Sequence, residues 1–273
     1  ENRKNIRHLP LISGGGTSEM SGHSKWKNIM HKKEKTDAQR AKIFSKIGRE
    51  IAIAIREGGA DSASNGKLRD LIAKARANNV PYENIERMLK KATGEDGTVY
   101  EEIYYEGYGP GGVAVIVDTT TDNRNRTTSE MRHYFDKYGG NLGTSGCVSY
   151  MFTDRGTIIV TRELEPDPKV RGSKPTPVDE DALMEVAIEA GAVDFIADDD
   201  CFEIATEPND LTAVREALEA AGFPVVSAEK EKVPASYVTL TSEEDIKKMK
   251  TLLEVLEDND DVQNVFHNWD IEE

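Results

Sequence analysis

Cysteine is nearly absent from this sequence, since Cys147 and Cys201 are the only two among 273 residues. Neither cysteine belongs to a CxxC pair or has a histidine close by in the sequence. This argues against a disulfide framework and against a zinc site. We expect both cysteines to be buried thiols in a reducing compartment, and we predict no cofactor and no metal site.

Long hydrophobic runs are also missing. No window approaches the roughly 18 apolar residues of a membrane span, and no signal peptide is recognisable. Apolar residues make up 37% of the sequence and charged residues 31%, as in ordinary globular proteins. We therefore expect a cytoplasmic protein of two or three domains, without a membrane partner.

The residue constellations that identify common enzymes are absent as well. There is no GxSxG, no HExxH and no Cys-His pairing at a recognisable spacing. The segment GYGPGG at residues 107–112 has the spacing of a dinucleotide-binding loop, but it lies between two predicted strands and contains Pro110. A strand followed by a helix would be needed to bind the pyrophosphate, so a glycine-rich hairpin is the better interpretation. We predict no catalytic residues and no enzymatic activity.

Positive charge is concentrated in one part of the chain. Residues 21–92 contain 17 Lys or Arg and 8 Asp or Glu, a net charge of about +9, whereas residues 93–273 contain 15 and 40, about -25. This asymmetry indicates an electropositive module carried on acidic domains, and nucleic acid is the natural partner of such a module. A merely solvated basic surface is the alternative interpretation.

The basic part has the pattern of short helices. We predict a basic helical domain over residues 21–95, with an N-terminal arm around Trp26 and three amphipathic helices at about 36–58, 67–78 and 81–94. Residues 1–20 have no periodicity and end in a glycine run before Met20. We expect that segment to be a disordered tag or a start assigned too far upstream.

From residue 98 onward, strands alternate with helices. Residues 155–233 follow the order β-α-β-β-α-β, which predicts a ferredoxin-like domain. The C-terminal β-α-β pattern is too small to stand alone, so residues 98–154 plus 234–273 are predicted to form one middle α/β domain. The fold class is thus multidomain α and α+β, a three-helix domain followed by two ferredoxin-like α/β domains, the last inserted in the middle one. Residues 147–152, CVSYMF, are expected to be a strand of the middle domain.

Two arginines stand at an unexpected place in the middle domain. Arg124 and Arg126 fall in the first turn of a predicted helix, where cations oppose the helix dipole. One interpretation is an anion or RNA-phosphate site built from these arginines and nearby hydroxyl and backbone N–H groups. The other is that both arginines pair with acids on neighbouring strands.

Several motifs resemble a known family. The segments GHSKWKNIMHKK, AKIFSKIGREI, YEGYGPGGVAVIVDTTTDNRNRT and NLGTSGCVSYMF are similar to the YebC/PmpR family, which includes the mitochondrial translational activator of cytochrome c oxidase. The resemblance extends from Met20 to the C-terminus. It implies a helical domain and two α/β domains. It also implies DNA-binding transcription regulation or, as for some members, ribosome-associated help with proline-rich sequences.

We therefore predict a nucleic-acid-binding regulator of gene expression, expected to be a monomer. A basic arm with one aromatic residue on a small helical domain suits ribosomal RNA better than promoter DNA, because no helix has the composition of a major-groove recognition helix. DNA-binding transcription regulation is the alternative, and a protein-binding adaptor acting through the acidic domains is the third. The residues predicted to contact nucleic acid are Lys25, Trp26, Lys27, His31, Lys32, Lys33, Arg40, Lys42, Lys46, Arg124 and Arg126.

Overall fold

The computed structural model describes residues 37–94, 98–164, 166 and 174–271, with side chains from Arg40 onward. The predicted segment 1–20 and the basic arm lie outside these residues. In the part described, the chain is multidomain α and α+β, as predicted. A helical bundle comes first, and two antiparallel four-stranded sheets follow.

Three helices form the bundle: α1 (Asp37–Gly58), α2 (Gly66–Ala77) and α3 (Tyr82–Thr93). They bury the apolar stripes that the spacing predicted, including Ile51 and Leu68, which are fully buried. Asn65 joins the first two helices. Its side chain accepts a hydrogen bond from the N–H of Leu68 at 3.0 Å and donates to the carbonyl of Ala54 at 2.7 Å, so one buried amide caps α2 and ties it to α1.

The middle sheet has the strand order β11-β2-β1-β3 and pairs entirely antiparallel. One apolar core joins it to two helices. As predicted, the C-terminal segment completes this sheet, because β11 pairs with β2. A short parallel pair, β10 (Val238–Thr239) with β12 (Trp269–Asp270), lies beside it. The main elements are β1 (Glu101–Tyr108), β2 (Ala114–Thr121), α4 (Arg124–Lys137), β3 (Asn141–Leu142), α7 (Glu243–Asp258) and β11 (Val262–His267).

The prediction of a strand at residues 147–152 is wrong. Ser149–Met151 form a 3-10 turn, and a strand starts only at Phe152. The cause is Glu106, whose carboxylate accepts hydrogen bonds from the N–H groups of Gly146, Val148 and Ser149 at 2.8–2.9 Å. Those amides are therefore turned toward one side chain and cannot form a strand ladder.

The inserted sheet has the order β7-β8-β4-β9, and its elements follow the predicted β-α-β-β-α-β sequence. Long strands β4 and β9 pair from Phe152↔Pro234 onward, which carries the chain out of the middle sheet and back into it. The residue boundaries of the domains stay predictions. The elements are β4 (Phe152–Thr161), β5 (Glu163–Leu164), β6 (Thr176–Pro177), α5 (Glu180–Ala190), β7 (Ala192–Ala197), β8 (Cys201–Thr206), α6 (Leu211–Ala220) and β9 (Val225–Pro234).

Candidate nucleic-acid interface

The predicted contact residues divide into two groups. The arm residues lie outside the described part of the chain: Lys25, Trp26, Lys27, His31, Lys32 and Lys33. The remaining five lie at the starts of two helices, with Arg40, Lys42 and Lys46 on α1 and Arg124 and Arg126 on α4. Arg40 is exposed and has an interaction of its own with its surroundings.

The lysines of α1 point at the C-terminal end of α7. Lys42 forms an ion pair with the carboxylate of Asp258 and donates to the carbonyl of Asp258 at 3.2 Å. Lys46 donates to the carbonyl of Glu257 at 3.0 Å. These carbonyls belong to the last turn of α7, where the helix dipole is negative and attracts cations. In this conformation both predicted phosphate-binding lysines are held by acidic groups of the chain itself.

The same acidic segment also binds Arg49, one turn further along α1. Its Nη1 lies 2.6 Å from Asp261 Oδ1, 2.6 Å from the Asp260 carbonyl and 3.3 Å from the Thr120 carbonyl. The Asp261 side chain is 4% exposed. Sequence analysis did not select Arg49 or Asp261. The signals that identify them are the spacing of Lys42, Lys46 and Arg49 along α1 and the run of acids that follows α7.

Arg126 lies on the opposite side of Asp261. Its Nη2 is 2.7 Å from Asp261 Oδ2 and 2.9 Å from Asp122 Oδ1. Thr127 Oγ1 also donates to Asp261 Oδ2, at 2.8 Å. Pairing with neighbouring acids, the second of the two sequence interpretations, is what the structure has at Arg126. Its role in contacting nucleic acid stays a prediction.

The pKa values in this cluster follow from these contacts. Burial acts to raise the pKa of Asp261, but hydrogen bonds from Arg126 and Thr127 and the charge of Arg49 lower it below the usual value. The pKa of Lys42 is raised by its hydrogen bond to Asp258. Burial lowers the pKa of Lys46, against the attraction of Glu257 and Asp260. Asp261 is therefore an ionised carboxylate at neutral pH, bound between two guanidinium groups.

Arg124 is in a different situation. Its side chain is 67% exposed, and the Glu101 carboxylate is 4.0 Å away. It lines an open groove of about 270 Å³ between α4 and the loop that follows β3, together with Thr128 and Arg132. The approach of the glycine-rich loop to this end of the domain agrees with the sequence-based expectation, whereas Arg132 was missed. It follows Arg124 at i+8, on the same face of α4.

A second charged cluster lies between the bundle and the middle sheet. Lys74 pairs with Glu50 at 3.1 Å, and Asp118 accepts a hydrogen bond from Asn264 at 3.2 Å. Burial first, and then the charges of Glu50 and Glu102, raise the pKa of Asp118 to about 6. This cluster is a site of electrostatic strain between domains, which is a property of stability rather than of ligand binding.

Two further features of the described residues concern function. No helix among them is long and apolar enough to cross a membrane. Within the same residues, no group of three or more His, Cys, Asp or Glu side chains is placed to hold a metal ion. Residues 110–112 form a 3-10 turn between β1 and β2, with positive φ at Gly111 and Gly112. The GYGPGG segment is thus a hairpin connection, as the sequence indicated.

The architecture defines a class of protein: a basic helical bundle joined to two ferredoxin-like α/β domains, one inserted in the other. Residues 24–95 match the family described as "TACO1/YebC protein N-terminal domain", and residues 100–269 match "TACO1/YebC second and third domain". The chain belongs to the TACO1/YebC family, which confirms the resemblance found in its motifs.

Similar proteins cover almost the whole chain. A "Probable transcriptional regulatory protein" of Acetivibrio thermocellus is 57% identical over 251 residues, covering 92% of this chain and 99% of the relative. One of the same name from Caldicellulosiruptor saccharolyticus is 55% identical over 255 residues, covering 93% and 100%. The crystal structure of the conserved hypothetical protein Aq1575 from Aquifex aeolicus has a TM-score of 0.74 and 48% identity, covering 88% of this chain and 93% of that one.

Proposed function

We propose that this chain is a non-enzymatic, cytoplasmic regulator of gene expression that binds RNA. Its target is ribosomal RNA, where it assists the synthesis of proline-rich sequences. The observation that carries the proposal is the separation of charge, about +9 over residues 21–92 against about -25 over residues 93–273. A basic module of this kind attracts polyphosphate, while the acidic domains limit indiscriminate binding.

RNA is favoured over DNA by the composition of the helices. A DNA-reading helix needs several side chains that reach base edges in the major groove, commonly Arg, Asn and Gln on one face. The lysines of α1 instead contact the end of α7, and the aromatic Trp26 stands in a basic segment suited to stacking on an unpaired base.

Transcription regulation through DNA is the second candidate, because the relatives carry the name "Probable transcriptional regulatory protein". Crosslinking in growing cells, followed by sequencing of bound DNA and RNA, separates the two. Recovery of ribosomal RNA, together with slowed synthesis of a reporter containing consecutive prolines when the protein is deleted, is the expected result. Recovery of promoter DNA without ribosomal RNA would exclude the RNA proposal.

The acidic domains also allow an adaptor that binds only proteins. In that case the purified chain would bind no nucleic acid at moderate salt. Under our proposal, affinity for a structured RNA falls by about three decades between 50 and 200 mM salt if six or so cations contact phosphate. Fluorescence anisotropy across that salt range measures this dependence, and a flat response would favour the adaptor.

A further inference from the structure

The groove beside α4 has a wall of cations on one face of the helix. Arg124, Thr128 and Arg132 follow one another at i, i+4 and i+8, so the two arginines lie about 12 Å apart along the helix axis. We call this feature the edge groove. Its lining consists of Ile103, Tyr104, Tyr105, Glu106, Arg124, Thr128, Arg132, Leu142, Gly143 and Ser145.

The floor of the edge groove is an open strand edge. Strand β3 pairs only with Gly107 and Tyr108, so the outer edge of β1 has no strand partner before them. The Glu106 carbonyl points to this edge, where it accepts the N–H of Gly143 at 2.8 Å. Because backbone groups alternate along a strand, the N–H and carbonyl of Tyr104 point the same way. Its ring lies near Lys232 of β9 instead, so Tyr104 gives the groove one backbone donor and one acceptor.

The far wall is the loop at residues 143–146, and its shape is fixed by Glu106. The N–H of Gly146 donates to the Glu106 carboxylate at 2.8 Å, and Val148 and Ser149 donate to the same group. These bonds lower the pKa of Glu106 against the effect of burial, so the carboxylate stays ionised with its charge satisfied. The N–H groups of Thr144 and Ser145 have no hydrogen-bond partner within the described part of the chain.

The charge of the edge groove is unusual for this protein. Arg132 is exposed and has neither an ion pair nor a hydrogen bond to any described residue, and Arg124 has only Glu101, at 4.0 Å. Arg126, two residues from Arg124, is by contrast saturated by Asp122 and Asp261. In a chain of net charge -15, two guanidinium groups left open on one helix face indicate an anionic ligand from outside.

We propose that the edge groove binds the sugar-phosphate backbone of single-stranded RNA, as a second contact beside the basic module. The proposal rests on the RNA-binding function proposed above and adds a place and a specificity to it. Guanidinium groups and free N–H groups are donors that suit phosphate oxygens. The Tyr104 carbonyl is an acceptor suited to a 2′-hydroxyl, the group that distinguishes RNA from DNA. A bound peptide would instead bring its own N–H groups, for which the groove offers few acceptors.

The test uses the full chain and a labelled single-stranded RNA, with DNA of the same sequence for comparison. Replacing Arg124 and Arg132 together with Ala should weaken RNA binding roughly tenfold and reduce the salt slope by about two, one for each lost phosphate contact. The matched control is Arg155→Ala, which removes an exposed arginine of β4 outside the groove and should change affinity less than twofold. The RNA-over-DNA preference should shrink in the double variant only.

Hydrogen exchange gives an independent readout. Bound RNA should slow exchange of the Thr144 and Ser145 amides in the wild-type chain and not in the double variant. If the double variant keeps its affinity while the wild-type chain binds RNA tightly, the edge groove is excluded and the function stands. If the wild-type chain binds no RNA at all, the function itself fails. If an acidic peptide protects these amides and RNA does not, the groove is a peptide site and the proposal is overturned.

Discussion

Arg49 of α1 and Arg126 of α4 bind the two oxygens of one carboxylate, that of Asp261, at 2.6 and 2.7 Å. The helical bundle and the middle sheet are thereby joined through a single side chain that is almost completely buried. An isolated exposed ion pair stabilises a protein little, but a buried carboxylate with several charged donors is costly to disturb.

Replacing Asp261 with Asn should therefore lower the free energy of unfolding by about 2–3 kcal/mol, because two guanidinium groups lose their shared acceptor charge. The control is Asp260→Asn, since Asp260 contacts Arg49 through its carbonyl and not its side chain. That change should cost less than about 0.5 kcal/mol. Urea denaturation at pH 7 measures both variants, and equal stabilities would show that the shared carboxylate does not join the domains.

The contact between Lys42 and Asp258 suggests competition between the acidic domain and nucleic acid. Replacing Asp258 with Asn should raise affinity for nucleic acid about threefold to fivefold, because Lys42 is released for phosphate contact. Glu254→Gln removes the same charge one turn earlier on α7 and has no hydrogen-bond or ion-pair partner among the residues described here, so it reports the general effect of net charge. Equal gains in anisotropy titrations of the two variants would mean that Lys42 takes no part in binding.

The larger elements of the fold could be predicted because each had a local signal. The apolar stripe of α1, the helix-ending Gly58 and the β-α-β-β-α-β order of the inserted domain depend on neighbouring residues. The strand expected at residues 147–152 failed for the opposite reason. Its apolar residues have strand propensity, but Glu106, some 40 positions earlier, binds the amides that a strand would need.

The same distinction explains the candidate site. The basic character of α1 is visible in the sequence, whereas the pairing of Lys42 with Asp258 joins residues 216 positions apart. Arg124 and Arg126 have nearly the same local sequence, yet one is exposed and the other is saturated. Only the position of Asp261, brought beside α4 by the return of the C-terminal segment to the middle sheet, separates their roles.

Asp118 makes stability depend on pH in an unusual direction. Its pKa of about 6 lies above its ordinary value of 3.8, so the folded state binds a proton more tightly than the unfolded state does. Stability should therefore rise as pH falls from about 7 toward 4.5. Replacing Asp118 with Asn should raise the free energy of unfolding at pH 7 by up to about 2 kcal/mol after allowance for partial solvent screening, and by less at pH 4.5. Urea denaturation at both pH values measures this difference, and an equal gain at the two would exclude the raised pKa.

His267 should act in the opposite direction. Burial lowers its pKa to about 4 from an ordinary value of 6.5, so the unfolded state takes up a proton first as pH falls below about 6.5. Stability should drop by up to about 3 kcal/mol between pH 6.5 and pH 4. The test variant is His267→Asn, because the Asn oxygen can replace Nδ1, which accepts the N–H of Trp269 at 3.2 Å.

The two groups should nearly cancel in the wild-type chain, and single variants should reveal them. Between pH 7 and pH 4.5, the wild type should show a shallow stability profile. Asp118→Asn, which leaves His267, should lose stability as pH falls, whereas His267→Asn, which leaves Asp118, should gain it. The double variant should be shallow again, because neither proton remains to be exchanged. Urea denaturation at four pH values measures these slopes, and parallel profiles for the two single variants would contradict the opposing shifts of Asp118 and His267.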